Sequence, residues 1–165
     1  MTKEMQRHRH IGAYGICLRD NRLLVVRKGR GPYTGRYDLP GGRVENNEGV
    51  FDTLYREFQE ETGCHAVNVQ HLGVWDCQLT WEEEGYDPIL MHHITLMFGV
   101  DVEMEPNPQA NGSHDSLGAL WIPLDACTQD NSSPLVTAAK HYAKTGSLPL
   151  QTQVYETWTV LGETE

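Results

Sequence analysis

The stretch that most constrains this chain runs from Leu39 to Cys64, LPGGRVENNEGVFDTLYREFQEETGC. Leu39-Pro40-Gly41-Gly42 interrupts any regular element, because proline lacks an N–H and glycine accepts backbone angles other residues avoid. Asn46 and Asn47 are good N-cap residues, so a helix is expected from there to Thr62, with a stop at Gly63. At 100° per residue, Val50, Phe51, Leu54, Tyr55 and Phe58 share one apolar arc, with Glu57, Glu60 and Glu61 at its edge and just beyond. Such a helix needs an apolar layer beneath it, and its carboxylates then stand at the rim of a cleft.

The flanking sequence supplies that layer. Ile11–Leu18 and Leu23–Val26, apolar runs around the turn Arg19-Asp20-Asn21-Arg22, predict a β-hairpin. Gly29, Gly31, Pro32 and Gly35 make residues 29–37 a loop. Ala66–Trp75 and Ile89–Val102 are rich in β-formers and read as strands, separated by a polar loop over Gln78–Pro88. Pro106–Ser116 reads as a further loop and Leu120-Trp121-Ile122 as a short strand. A second helix is expected over Pro134–Ala143, opened by Ser133 and Pro134. Val154–Val160 suits either a strand or a docked arm, and Arg7-His8-Arg9-His10 a loose N-terminus. Strands before, between and after the helices give an α/β class with a mixed sheet, and the length fits one domain over residues 1–165.

Thirteen Lys and Arg stand against 23 Asp and Glu, a formal charge of −10. That surface repels polyanions, so no nucleic-acid partner is expected. A small phosphorylated substrate requires a local cation. Arg27, Lys28, Arg30, Arg36 and Arg43 concentrate positive charge before and inside the constraining stretch; Arg27 and Arg43 are the preferred phosphate ligands. Cys17, Cys64, Cys77 and Cys127 form no CxxC pair and read as free buried thiols in a reducing compartment. With no apolar run long enough to span a membrane and a polar Met1–His10, the expected location is cytoplasmic. For His92 and His93 a structural role is favoured over one of them facing the cleft, and Glu82–Glu84 read as a solvated loop whose neighbours Trp81 and Tyr86 could stack on a base.

An acidic helix face alone is usually just solvated. Here Glu57, Glu60 and Glu61 fall within about one turn, and neighbouring anions are costly without a cation. Hard divalent cations such as magnesium take oxygen ligands and keep positions for substrate phosphates. They also lower the pKa of a bound water, which a nearby carboxylate can deprotonate.

Gly42, five residues, Glu48, seven residues, then Arg56-Glu57-Phe58-Gln59-Glu60-Glu61-Thr62-Gly63-Cys64 resembles the Nudix box. Seven fixed positions match, a coincidence on the order of one in a million at average residue usage. Phe58 and Cys64 replace the usual aliphatics but remain apolar. Gly35–Gly42 is similar to the family's approach to the box, with Tyr37 where tryptophan is common, and Leu120–Asp125 to its last strand. The resemblance implies a Nudix fold, a mixed β-sheet sandwiched between α-helices. It implies metal ligation by Glu57, Glu60, Glu61 and the Gly41 carbonyl, with Mg2+ as cofactor and Mn2+ as the alternative. Glu57 is then the candidate general base, Arg56 orients the carboxylates and Glu48 ties loop to helix. Asp115 is the candidate late acidic ligand, with Glu103 and Glu105 as rivals, and Tyr37 joins Arg27 and Arg43 in the expected substrate contacts. The implied activity is hydrolysis of a nucleoside diphosphate linked to another group. Thr80 stands where ADP-ribose hydrolases of the family carry proline, and the tyrosine of diadenosine polyphosphate hydrolases and the motif of NADH-cleaving members are missing. A nucleoside triphosphate, non-standard or oxidised, therefore leads; the alternative is a nucleotide- or ADP-ribose-sensing module. A homodimer is expected.

Overall fold

In the run Leu23-Leu24-Val25-Val26 all four side chains are fully buried, and they divide between two cores. Leu23 and Val25 pack with Leu135, Val136, Ala138 and Ala139, whereas Leu24 and Val26 pack with Leu54 and Phe58. Successive side chains of a strand point to opposite faces, so this strand lies between two helices. It is β3 (Arg22–Lys28), and the helices are α1 (Val50–Thr62) and α2 (Pro134–Thr145). The structure, a computed structural model, describes residues 4–103 and 116–162. The α/β sandwich is as the sequence suggested.

One sheet has five strands in the order β5 (Gly41–Arg43), β1 (Gln6–Ile16), β7 (Ile89–Val102), β6 (Ala66–Trp81) and β9 (Gln153–Tyr155). β1 runs parallel to β7 and β9 parallel to β6, while the β1–β5 and β6–β7 pairs are antiparallel. In the other sheet β3 pairs with β2 (Leu18–Arg19), β4 (Tyr37–Asp38) and β8 (Ser116–Pro123). Among the described residues, no helix is long and apolar enough to cross a membrane.

Several local expectations are corrected. The hairpin joins only β2 to β3, through Asp20 and Asn21 at φ 52° and 59°, the left-handed pair of a tight two-residue turn. β1 instead leaves for the five-stranded sheet, and Gln6–His10 is part of that strand rather than loose. Asn47 is spent on a left-handed turn position (φ 63°), so α1 starts later, with Gly49 as N-cap; Gly63 ends it at φ 74° as expected. β6 continues to Trp81 because Cys77, Leu79 and Trp81 alternate into the core. Trp81 is therefore packed, while Tyr86 is exposed. Ser133 caps α2, accepting from the Val136 N–H.

Candidate active site

Only part of the predicted apolar arc of α1 is buried. Leu54 and Phe58 are inaccessible, but Phe51 and Tyr55 are 39% and 40% exposed, and Thr53, Glu61 and Thr62 take their place inside. The helix is thus rolled so that Glu61, 1% exposed, points inward. Its carboxylate accepts from the Gly41 N–H at 3.4 Å and lies 4.0 Å from Lys28 Nζ. Burial raises its pKa well above the usual carboxylate value; Glu57 and Asp38 push the same way and Lys28 opposes them. Burial also raises the pKa of Glu57, against the pull of Arg56.

Gly42 lies directly against Glu57. A Cβ there would come within 2.6 Å of the Glu57 carboxyl, so a side chain at this position would push that carboxylate aside. Arg56 grips Glu48 through Nε (2.7 Å) and a terminal nitrogen (3.0 Å), and donates to Glu57 (2.9 Å) and Glu60 (3.3 Å). Glu48 also accepts from the Thr53 hydroxyl, and the Arg56 bonds foremost hold its pKa down at about 2. Glu48 therefore fastens the loop to the side of the helix rather than capping it.

Glu57, Glu61, Gly41, Gly42, Arg43 and Glu45 line a cavity of about 290 Å³. Glu60 is not among its lining residues; it is 35% exposed and turned onto Arg56. Among the described residues no three His, Cys, Asp or Glu side chains converge as a ready metal site. The donors nevertheless fit a hard divalent cation: the buried Glu61 and the half-buried Glu57 face one cavity, their pKa values raised, with Lys28 as the nearest charge balance to Glu61. Such a cation is satisfied by few protein oxygens, with water and phosphate completing its shell.

A second cavity, of about 240 Å³, adjoins the first and shares His10, Tyr14 and Lys28 with it. Pro32, Tyr33, Asp38, Met91 and His93 complete its main walls. His93, 1% exposed, is held between two phenols, with Nε2 2.8 Å from the Tyr14 hydroxyl and Nδ1 2.7 Å from that of Tyr33. The β1–β7 register sets His10 opposite His93, and their rings stack at 4.6 Å. Burial pushes the His93 pKa well below its usual value, so the ring is neutral. Asp38 sits behind, accepting from Ser133 Oγ (2.6 Å) and the Leu39 N–H (2.9 Å), with Lys28 at 3.9 Å and its pKa raised by burial.

Of the expected phosphate ligands, Arg43 lines the carboxylate cavity. Arg27 lines neither cavity and stands 5.7 Å over the Tyr37 ring. Tyr37 is occupied in joining β4 to the start of α2, donating its N–H to Asn131 and accepting from the Ser133 N–H. Lys28 occupies the central position instead. Asp115 and Glu105 lie outside the described residues, and Glu103 is exposed. His92 pairs with Asp76 at 2.6 Å, away from its cavity-lining neighbour. Sequence reasoning missed Tyr14, Tyr33 and Asp38 as cavity residues; the usable signal was a histidine at position 93, in phase with buried Met91 and Met97.

A family model described as the NUDIX domain matches residues 6–142. The chain belongs to the Nudix hydrolase family. An ADP-ribose pyrophosphatase of Methanocaldococcus jannaschii is 34% identical over 95 residues, 58% of this chain and 52% of that protein. A CMP-5'-(N-acetyl-N-hydroxy-3-aminopropyl)phosphonate hydrolase of Streptomyces rubellomurinus is 30% identical over 121 residues, 72% of this chain and 54% of that one. An 8-oxo-dGTP diphosphatase of Proteus vulgaris is 36% identical over 55 residues, 33% and 49% of the two chains. The chain thus spans about half the length of these relatives. Among solved structures, a MutT NUDIX hydrolase from Burkholderia pseudomallei superposes with a TM-score of 0.63 at 23% identity, covering 81% of this chain and 97% of that one. That likeness establishes the Nudix fold.

Proposed function

We propose that this Nudix protein hydrolyses a phosphoanhydride bond in a nucleoside diphosphate linked to another group. A nucleoside triphosphate, non-standard or oxidised, is the leading substrate, yielding nucleoside monophosphate and pyrophosphate. One observation carries the reading: a carboxylate-lined cavity opens beside an aromatic one, with Lys28 lining both. The first suits a diphosphate and its counter-ion, the second a planar ring.

Glu57, Glu61 and the Gly41 carbonyl would hold the magnesium, with Glu60 reaching it after release from Arg56. When bound, the ion neutralises phosphate oxygens and acidifies a water. The chain supplies the rest. Glu57, which lines the carboxylate cavity, accepts the proton of the attacking water. Arg56 holds Glu57 in place, and Arg43 and Lys28 face the charge that builds on the phosphate oxygens as the P–O bond breaks. The His10–His93 stack seats the base.

ADP-ribose is the rival substrate, favoured by the name of the Methanocaldococcus relative. The test is pyrophosphate or phosphate release across nucleoside triphosphates, nucleotide sugars and ADP-ribose with magnesium, alongside Glu61→Gln. Turnover of one class, lost with EDTA and in the variant, supports the proposal. No turnover of any compound, with a nucleotide still raising the melting temperature, would identify a sensor instead. We also expect a homodimer, to be read by light scattering.

A further inference from the structure

Beyond α2 the chain turns back as an arm. β9 adds to the edge of β6 at Cys77–Leu79, and the Trp158 N–H continues the pairing by donating to Thr80 O at 2.8 Å. Residues 147–162 lie outside the stretch matched by the family model. The arm nevertheless lands on the loop between β3 and β4, whose Pro32 and Tyr33 line the aromatic cavity.

Trp158 makes that contact. Its indole N–H donates to Pro32 O at 2.8 Å, and its ring meets Tyr33 edge-on at 6.0 Å. Arg36 lies over its face at 4.1 Å. Arg36 is only 6% exposed, and among the described residues its guanidinium donates to backbone carbonyls: Gln129, Ser132 and, from the arm, Thr159 at 2.9 Å. A buried guanidinium needs every acceptor it has, so the arm is part of what keeps Arg36, and the loop carrying it, in place. At Gly35 (φ +79°) an added Cβ would sit 2.7 Å from Gly162 O, so the arm passes directly over the loop. With glycines at 29, 31 and 35 the loop has little stiffness of its own.

We infer that Trp158 is a positioning residue for substrate affinity: through Pro32 and Tyr33 it fixes the wall against which the substrate's ring is held. This rests on the aromatic cavity being the ring's seat, as proposed above. Trp158 touches neither the carboxylates nor the diphosphate position, so its effect falls on KM and not on the chemical step.

The test uses the full chain and the nucleotide it hydrolyses fastest. Trp158→Ala is expected to raise KM about tenfold or more with kcat within about threefold of wild type, the signature of lost uniform binding. Trp158→Phe, which keeps a ring but loses the bond to Pro32, is expected in between and serves if the alanine variant does not fold. Inorganic pyrophosphate, which needs only the carboxylate cavity, should inhibit both variants with an unchanged Ki. An unchanged KM, or kcat and the pyrophosphate Ki worsening together as in a generally loosened protein, would overturn the inference. Met91→Trp fills the cavity from its other wall. If it also leaves KM unaltered, the cavity reading itself is wrong; if it raises KM and the Trp158 variants do not, only the role of the arm fails.

Discussion

The two adjoining cavities share His10, Tyr14 and Lys28 but are built in opposite ways. The carboxylate cavity draws most of its other walls from one continuous stretch, Gly41 to Glu61, in which a glycine turn faces one edge of a single helix. The aromatic cavity is assembled from β1, the loop after β3, β4 and β7, with an arm from the far end of the chain closing over the outside. Charge defines the first and shape the second. A motif can therefore carry the chemistry as a unit while the ring pocket varies with distant segments, which is how one catalytic stretch can serve different substrates.

The largest expected effect breaks the carboxylate cavity alone. Glu57→Gln should lower kcat by about a hundredfold to ten-thousandfold, the usual range for losing a general base, with KM little altered in steady-state assays. Lys28→Met removes the residue common to both cavities and should move both parameters. A fall in kcat/KM of about tenfold to a hundredfold is expected, the scale of a charged hydrogen bond, with kcat and KM each contributing; an effect on one alone would show that the cavities are not linked through it.

The cavities also impose opposite pH slopes on stability. The pKa of Glu61 is raised on folding, so in metal-free protein its contribution is complete below the normal carboxylate pKa and is lost as pH rises above it. The pKa of His93 is lowered, so its contribution is complete above the usual histidine value near 6.5 and is lost as pH falls below it. Melting temperatures from pH 4 to 8 should show both slopes, with Glu61→Gln flattening the first and His93→Gln the second. The smallest effect is expected at Ser133, which both caps α2 and donates to buried Asp38. Ser133→Ala should cost about 0.5–2 kcal/mol in denaturant unfolding, the usual worth of an N-cap.

The same contrast explains what could be read from the sequence. Glu57, Glu61, Gly41 and Gly42 come together because helix and turn geometry act over a few residues, so their spacing was legible. Glu60 shows the limit: spacing placed it with its neighbours, but the Arg56 side chain draws it aside. Arg27 was preferred to Lys28 because sequence gives no sense of which neighbour faces inward; Arg27 ends over Tyr37 and Lys28 between Asp38 and Glu61. The Tyr14–His93–Tyr33 network depends on a parallel β1–β7 register and a loop folded across 60 residues of separation, neither of which local patterning encodes. The arm was legible only as an apolar segment of uncertain form, since its partners, Pro32 and Arg36, lie more than 120 residues away.

The division of labour between the cavities is tested most directly by measuring kcat and KM for Glu57→Gln and Met91→Trp on one nucleotide. The account predicts a loss confined to kcat in the first and a rise confined to KM in the second. Loss of kcat in both, or a raised KM in both, would contradict it.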